Sequence, residues 1–536
     1  PEGASRQAEL LRIVRDAGMR LVGPNCLGVV NTAPDVRLPA LFADIQPSPG
    51  PIGVMSQSGG VGLALLEELA AKGLGVSTFV SAGNKADVSG NDLLQYWDSD
   101  PATEVIGMYI EAFGNPRVFS RVARRVSRRK PIVAVKSGRS VAGLRAAGRH
   151  GAEQADAAVD ALFRQTGVIR TDTLDELFDV VSVLASQPLP AGNRVGIVAN
   201  AGGPSVLAAD SCAAAGLELA DLSPATVEQL AGLPVEGSLP NPVELTPDAP
   251  PAAFARAAAA LLDDPAVDAC LAISTMPVPG VAEAVGSELV ATSAAHPGTP
   301  LLACVLGHRG LLGPPGGAAR RVPAFAFPEA AARALGRVAA YAAWRRRPEG
   351  RVVTLEGVDR EKARRVVDAA LAGAGAHPVE LAGAAVAHLV SAYGIALREH
   401  PGGTAAEADG RHGAEGVTTA TAGLVQDPVF GPLVTLAPAG GEAPASGSAG
   451  ARALPLTDTD ATEAVTAVFP GASDVTRRAL EDVLVRLAAV ADDLPEVVEV
   501  QLSPVRAGAT GASVGGARVR AAPWEPHPER ALRRLR

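Results

Sequence analysis

The chain is short of cysteine, lysine and aromatic residues, and it has no long apolar run. Four cysteines (Cys26, Cys212, Cys270 and Cys304) stand far apart with no Cys-x-x-Cys. They argue for reduced thiols in a cytoplasmic protein. No apolar run is long enough to cross a bilayer and there is no signal-peptide pattern, so no membrane role is expected. A net charge of −9 argues against a nucleic-acid surface. Aromatics make up 3% of the residues while alanine and glycine abound, so helices are expected to pack closely through small side chains. A length of 536 residues calls for several domains. The chain opens at Pro1, partway into a helical pattern, and reads as a fragment lacking its N-terminal part.

What is present is a series of apolar strands, each followed by a helix. Residues Arg6 to Ala17 read as helix, and Arg20 to Asn31 as a strand and turn, one piece of a sheet whose other strands are absent. A proline-rich linker is expected to run to about Pro49. Strands near Ile52–Met55, Val76–Val80, Val105–Ile110 and Pro131–Val135 then define a doubly wound domain. A second begins at Asn193, where Val195-Gly-Ile-Val-Ala-Asn-Ala-Gly-Gly203 repeats the form of Ile52-Gly-Val-Met-Ser-Gln-Ser-Gly-Gly60. This is an internal duplication of a βα unit. Its further strands lie near Ala269–Ser274, Leu301–Leu306 and Ala324–Phe327. A helix from Pro328 to Arg347 leads to an α+β region with an eroded middle, including a low-complexity stretch from Gly440 to Gly450.

Three stretches carry chemistry. After the first strand, Ser56-Gln-Ser-Gly59 opens a helix. Free backbone N–H groups and the helix dipole make that turn an anion site, with Ser56 and Ser58 adding hydroxyl donors; an ordinary N-capped helix is the plain alternative. Glu111 stands at the C-terminal end of its strand, on the same sheet edge, where a salt bridge to a nearby arginine is the alternative. Lys136 to His150 leaves a buried strand, turns basic and small, and reaches a histidine before a helix. Open α/β sheets put their sites at such edges, and histidine can hold a phosphoryl group or move a proton near neutral pH. A solvated loop with a chance histidine is the alternative there. Lys85, one of only five lysines, lies in a polar loop after another strand.

Taken together these residues resemble the NDP-forming acyl-CoA synthetase family, relatives of succinyl-CoA synthetase. The pieces are Gly23-Pro-Asn-Cys-Leu-Gly28, Ser56-Gln-Ser-Gly59, Gly83-Asn-Lys-Ala-Asp87, Lys136 to His150, Gln165-Thr-Gly-Val-Ile169, Asn200-Ala-Gly-Gly203, Asn241-Pro-Val243 and Gln426-Asp-Pro-Val-Phe-Gly-Pro432. The resemblance implies an α/β architecture. A remnant of a CoA-binding Rossmann domain would occupy residues 1–45, and two flavodoxin-like doubly wound parallel-sheet domains residues 46–190 and 191–330. A helical linker would span 331–357, and a degenerate ATP-grasp α+β domain 358–525. It also implies a phosphorelay with CoA or acyl-CoA, phosphate and ATP/ADP with Mg²⁺ as small-molecule partners. In that relay His150 would carry the phosphoryl group and Glu111 would hold its ring. Ser56, Gln57, Ser58 and Gly59 would bind the phosphoryl oxygens, and Asn25 would contact CoA. No metal ligands are assigned.

Two departures stand out. The family's usual Ser-His-Thr-Gly or Ser-His-Thr-Ala reads Gly148-Arg-His-Gly151 here. No lysine follows Lys362, and the family's Glu-Leu-Asp-x-Asn-Pro reads Glu499-Val-Gln-Leu-Ser-Pro504. Because Mg²⁺ prefers charged oxygen ligands, an impaired nucleotide step is expected. The basic runs Arg128-Arg-Lys130 and Arg533-Arg-Leu-Arg536 also resemble fusions that carry a GNAT acetyltransferase. That leaves a second reading open: a CoA-sensing regulatory region of a fused or partner acetyltransferase. A homo-oligomer is also left open.

Overall fold

A computed structural model describes residues 2–140, 142–143, 153–236, 241–275, 280–314, 320–373, 375, 377–398, 417–427, 430–440 and 449–524. Three sheets follow one another along the chain. The first contains β1 (Gly28–Asn31), β2 (Leu38–Leu41), β3 (Pro49–Ser56), β4 (Val76–Ser81), β5 (Val105–Ile110), β6 (Ile132–Lys136) and β7 (Ile169–Thr171). Strands β3 to β7 are parallel in the order β4-β3-β5-β6-β7. That is the flavodoxin-like order, with its switch point between β3 and β5. The central strands are apolar runs because helices cover both faces: Ile106, Met108 and Ile110 are all buried. The helices are α1 (Glu2–Asp16), α2 (Gly59–Ala71), α3 (Gly90–Ser99), α4 (Pro116–Ser127), α5 (Glu153–Thr166) and α6 (Leu174–Ser186).

Residues 28–41 are not a lone piece of another sheet followed by a linker. Strand β1 pairs antiparallel with β4, Val30 opposite Phe79, and β2 pairs with β1. Without this hairpin β4 would leave a bare edge on a buried sheet.

The second sheet holds β8 (Arg194–Ala199), β9 (Glu218–Leu219), β10 (Val243–Glu244), β11 (Ala269–Ser274), β12 (Leu301–Val305), β13 (Gly310–Leu312) and β14 (Val322–Ala324). Its order, β10-β8-β11-β12-β14-β13, is parallel except for the last strand. Around it lie α7 (Gly202–Ala214), α8 (Pro224–Ala231), α9 (Pro251–Asp263), α10 (Val281–Ala295) and α11 (Pro328–Arg346). The Asn241 amide ties this sheet together: it accepts from Ile197 N–H at 2.9 Å and donates to the Val195 and Ala220 carbonyls at 2.6 and 3.1 Å.

The two sheets share one core. Leu65 and Leu69 of α2, Leu177, Val180 and Val181 of α6, Ala208 of α7, and Leu335 and Val338 of α11 lie in a single cluster with strand residues of both sheets. The helix expected as a linker is therefore a core element. Its small residues allow this: a side chain on Gly336 would fall on the Ala215 carbonyl. At its far end the Tyr341 hydroxyl donates to the Ser127 carbonyl at 2.6 Å, and the Arg128 guanidinium lies 4.4 Å from the Trp344 ring centre.

The third sheet is antiparallel: β15 (Val379–Glu380), β16 (Thr418–Asp427), β17 (Gly431–Pro438), β18 (Arg452–Ala453), β19 (Val497–Gly508), β20 (Gly511–Val514) and β21 (Ala517–Ala521). Helices α12 (Arg360–Leu371), α13 (Gly383–Ala392), α14 (Asp458–Val468) and α15 (Asp474–Asp493) accompany it. Leu480, Leu484 and Leu487 of α15 share a core with Leu424, Leu436 and Leu502.

This unit docks on the first sheet. The Phe430 ring packs 5.5 Å from Phe113, which touches Phe119 and Phe163 at 5.0 and 5.9 Å. The buried Gln165 amide acts as an extra strand residue beside β18: it donates to the Ala453 carbonyl at 2.8 Å and accepts from Ala453 N–H at 2.9 Å. Arg124 pairs with the buried Asp460 alongside. Gln165→Ala would strand both Ala453 groups, at about 1–3 kcal/mol each. Denaturant unfolding of that variant is expected to split into two transitions, the third unit melting first; a single unshifted transition would contradict the docking.

Candidate functional site

The switch point of the first sheet lies where the turn after β3 meets the end of β5. Ser56, the last residue of β3, is fully buried. Its hydroxyl donates to the Ser58 carbonyl at 2.6 Å and accepts from Ser58 N–H at 3.2 Å. Ser58 is the N-cap of α2, and its hydroxyl accepts from Val61 N–H at 3.3 Å. The Ser56 hydroxyl, donor and acceptor both, is therefore engaged in shaping the turn, while Ser58 uses its oxygen as the cap acceptor. What the turn presents outward is the start of a helix with small residues: a side chain on Gly60 would meet nothing within 4 Å, and one on Gly59 only Leu27. First-turn N–H groups and the positive end of the helix dipole lie there.

Glu111 follows directly on β5 and is exposed. Its N–H and that of Ala112 both donate to Gln57 Oε1 at 2.9 Å, and Gln57 Nε2 donates back to the Ala112 carbonyl at 2.9 Å. The Lys85 ammonium reaches the same carbonyl at 2.7 Å. The structure thus brings Ser56, Gln57, Ser58, Gly59 and Glu111 together on one sheet edge, with Lys85 beside them. The Gln57 amide faces the strand end. His150 lies outside the described residues. Lys136, at the end of the neighbouring β6, is buried and bonded to the Ser137 carbonyl.

Asn25 sits next door in a loop that forms a seam with the one after β4. Asn84 N–H donates to the Pro24 carbonyl, Ala86 N–H to Gly23 and Val88 N–H to Leu21, all at 2.9–3.0 Å. The Asn25 amide donates to Asn84 Oδ1 at 3.3 Å. Asp87 closes the seam, accepting from Arg20 Nε at 2.6 Å and Leu21 N–H at 3.1 Å. Burial alone would raise the Asp87 carboxyl, but the Arg20 and Leu21 hydrogen bonds outweigh it and hold the group below the usual range. Sequence reasoning noticed Lys85 without giving it a role; its rarity was the available signal.

In the third unit the Glu499 carboxylate is ion-paired with Arg520 at 2.9 Å, and the Ser503 hydroxyl lies 3.1 Å from that of Thr421. Among the described residues no group of three or more His, Cys, Asp or Glu could hold a metal ion. No described helix is long and apolar enough to cross a membrane.

Two flavodoxin-like sheets joined through one core, with a helix N-terminus and a strand-end carboxylate at a switch point, define a doubly wound α/β protein. Residues 49–184 match the succinyl-CoA ligase like flavodoxin domain, 195–296 the ligase-CoA domain and 411–521 an ATP-grasp domain. The ADP-forming 4-hydroxybutyrate–CoA ligase of Nitrosopumilus maritimus is 33% identical over 377 residues, 68% of this chain and 53% of that protein. Subunit alpha of ADP-forming acetate–CoA ligase II from Pyrococcus furiosus is 38% identical over 279 residues, 52% of this chain and 60% of that subunit. The solved acetyl-coenzyme A synthetase 1 of Ca. Korarchaeum cryptofilum, described as dinucleotide forming, superposes with a TM-score of 0.57 at 32% identity. The match covers 63% of this chain and 74% of that one, both for the apo form and for the complex with phosphate and ADP. The chain belongs to the ADP-forming acyl-CoA synthetase family. It spans about half the length of the curated relatives it matches.

The Asn25–Asn84 seam generates a stability prediction. Gly83 has φ +51°, and a side chain there would fall on the Pro24 and Asn25 carbonyls. Gly83→Ala should lower stability by roughly 1–3 kcal/mol or more, read from denaturant midpoints. Gly60→Ala, in open space at a helix start, should leave stability unchanged or raise it. Equal effects of the two would contradict the seam.

Proposed function

We propose that this chain performs the acyl-CoA and phosphate half of ADP-forming acid–CoA ligase chemistry, with the nucleotide step impaired. The observation that carries the reading is the meeting of the Ser58-capped start of α2 with the Glu111 strand end. In this reading phosphate attacks the thioester carbonyl of an acyl-CoA. The C–S bond breaks, and acyl phosphate and CoA result. The neutral His150 imidazole then takes the phosphoryl group, and the free carboxylate leaves. Glu111 accepts the second ring N–H and fixes the tautomer, while the first-turn N–H groups of α2 face the phosphoryl oxygens. Asn25 contributes to the CoA side from the adjoining loop. Free thiols at all four cysteines fit a reducing cytoplasm.

The nucleotide step is handled differently. Mg²⁺ takes charged oxygen ligands, but Glu499 is paired with Arg520 and the Asp and Asn positions of the motif hold Gln501 and Ser503. These residues do not fit the ion. No lysine after Lys362 is present to grip phosphates. A CoA-sensing regulatory role is favoured by that altered third unit alone; the acetyltransferase attachment draws no support from the comparisons.

The test uses acetyl phosphate carrying labelled phosphorus. Acid-labile, base-stable label is expected on the protein and should vanish in His150→Ala. Glu111→Gln should slow labelling by about 10²–10⁴-fold, the range for losing the partner that orients a reacting imidazole. Absence of label on the unmodified protein would overturn the reading.

A further inference from the structure

The turn after β3 has a twin after β8, and the pair separates what is retained from what is not. Ile52 to Gly60 aligns with Val195 to Gly203 without a gap, placing Gln57 against Asn200. In each copy the backbone N–H of that residue donates to a strand carbonyl at 3.3 Å, Tyr109 in one and Ile273 in the other. In each copy its side-chain carbonyl accepts, at 2.9 Å, the N–H two residues further along that strand, Glu111 or Thr275. The hydroxyls are not shared, since Ala199 and Ala201 replace Ser56 and Ser58. The feature common to both turns is an amide that locks the end of the neighbouring strand.

The copies differ in reach. Asn200 Oδ1 accepts from the N–H and hydroxyl of Thr275, and its amide N–H₂ donates to the Pro247 carbonyl at 3.3 Å. Gln57, one methylene longer, holds the backbone groups of two successive residues through three bonds of 2.9 Å, and Lys85 adds a fourth to Ala112. The stronger lock is on the copy whose strand end carries a carboxylate. Glu111 is exposed and lies just beyond the strand ladder; Ser137 N–H holds the Ile110 carbonyl before it at 3.0 Å, and the Gln57 bonds hold the backbone groups that follow.

We propose that Gln57 is a positioning residue: its amide fixes the Glu111 and Ala112 backbone groups and so aims the Glu111 carboxylate, instead of contacting phosphate. The proposal rests on the reading of Glu111 as the group that orients the reacting imidazole. A displacement of about 1 Å in such a group costs on the order of 10²-fold in rate.

The experiment measures labelling of the full chain by acetyl phosphate across pH and donor concentration for Gln57→Ala, Gln57→Glu and Glu111→Gln, with thermal melts to establish folding. Gln57→Ala should lower the maximal rate about 10²-fold and leave the half-saturating donor concentration unchanged. In Gln57→Glu the new carboxyl still accepts both N–H groups but, when ionised, repels the Ala112 carbonyl, a repulsion the Lys85 ammonium on that carbonyl offsets in part and protonation removes. Its rate relative to the unmodified protein should therefore rise as pH falls, a signature that general destabilisation would not produce. A higher half-saturating concentration with an unchanged maximal rate in Gln57→Ala would make Gln57 a phosphate ligand and overturn the proposal. So would a Gln57→Ala rate equal to that of the unmodified protein while Glu111→Gln is slow. If Glu111→Gln itself labels at the unmodified rate, the underlying reading of Glu111 falls, and the proposal with it.

Discussion

The two mainly parallel sheets share one core, and this packing holds their strand ends in place. A parallel sheet must be covered on both faces, and here the cover for two inner faces is one helical layer, α2, α6, α7 and α11. The outer faces have separate cores built on Trp97, Phe119 and Phe163 for the first sheet and on Phe254, Leu261 and Leu289 for the second. With the inner layer common to both, neither sheet can turn relative to the other without breaking packing along several helices. The C-terminal edges of the strands are fixed as a result, and the turn after β3 is held against the end of β5.

On that frame the recognisable sequence fragments act mainly on backbone groups. The loop from Gly23 to Gly28 and the loop from Gly83 to Asp87 are two sides of one seam. Gln165 satisfies both backbone groups of Ala453, Asn241 satisfies three groups around β8, and Gln57 satisfies three around Ala112. Loops brought together in the interior carry N–H and C=O groups with no ladder to join. A side-chain amide supplies one acceptor and two donors at a fixed spacing, which explains why Gln and Asn recur at these joints.

Much of the fold was legible because buried parallel strands are plain apolar runs: Val105–Ile110 and Ala269–Ser274 read from the sequence as they stand in the structure. The duplication was legible for the same reason. The hairpin over residues 28–41 was not, since β2 is exposed, contains Pro39 and sits in a proline-rich stretch. Helix α11 looked like a linker because its charged end, Arg345 to Arg347, hides the alanine-rich part that packs inward. At the site, the convergence of the Ser56 turn and Glu111 on one edge followed from strand order. The direction of the Gln57 amide did not, because a long-range bond to backbone leaves no periodic trace in the sequence.

In the proposed reading the phosphate-handling edge of the first sheet is kept while the nucleotide side has changed. The most direct measurement is a chase: protein labelled by acetyl phosphate is freed of donor and mixed with ADP and Mg²⁺. The account predicts that the acid-labile label stays on the protein far beyond the time scale of ordinary enzymatic turnover, on the order of a second or less. Transfer of the label to ATP on that time scale would contradict it.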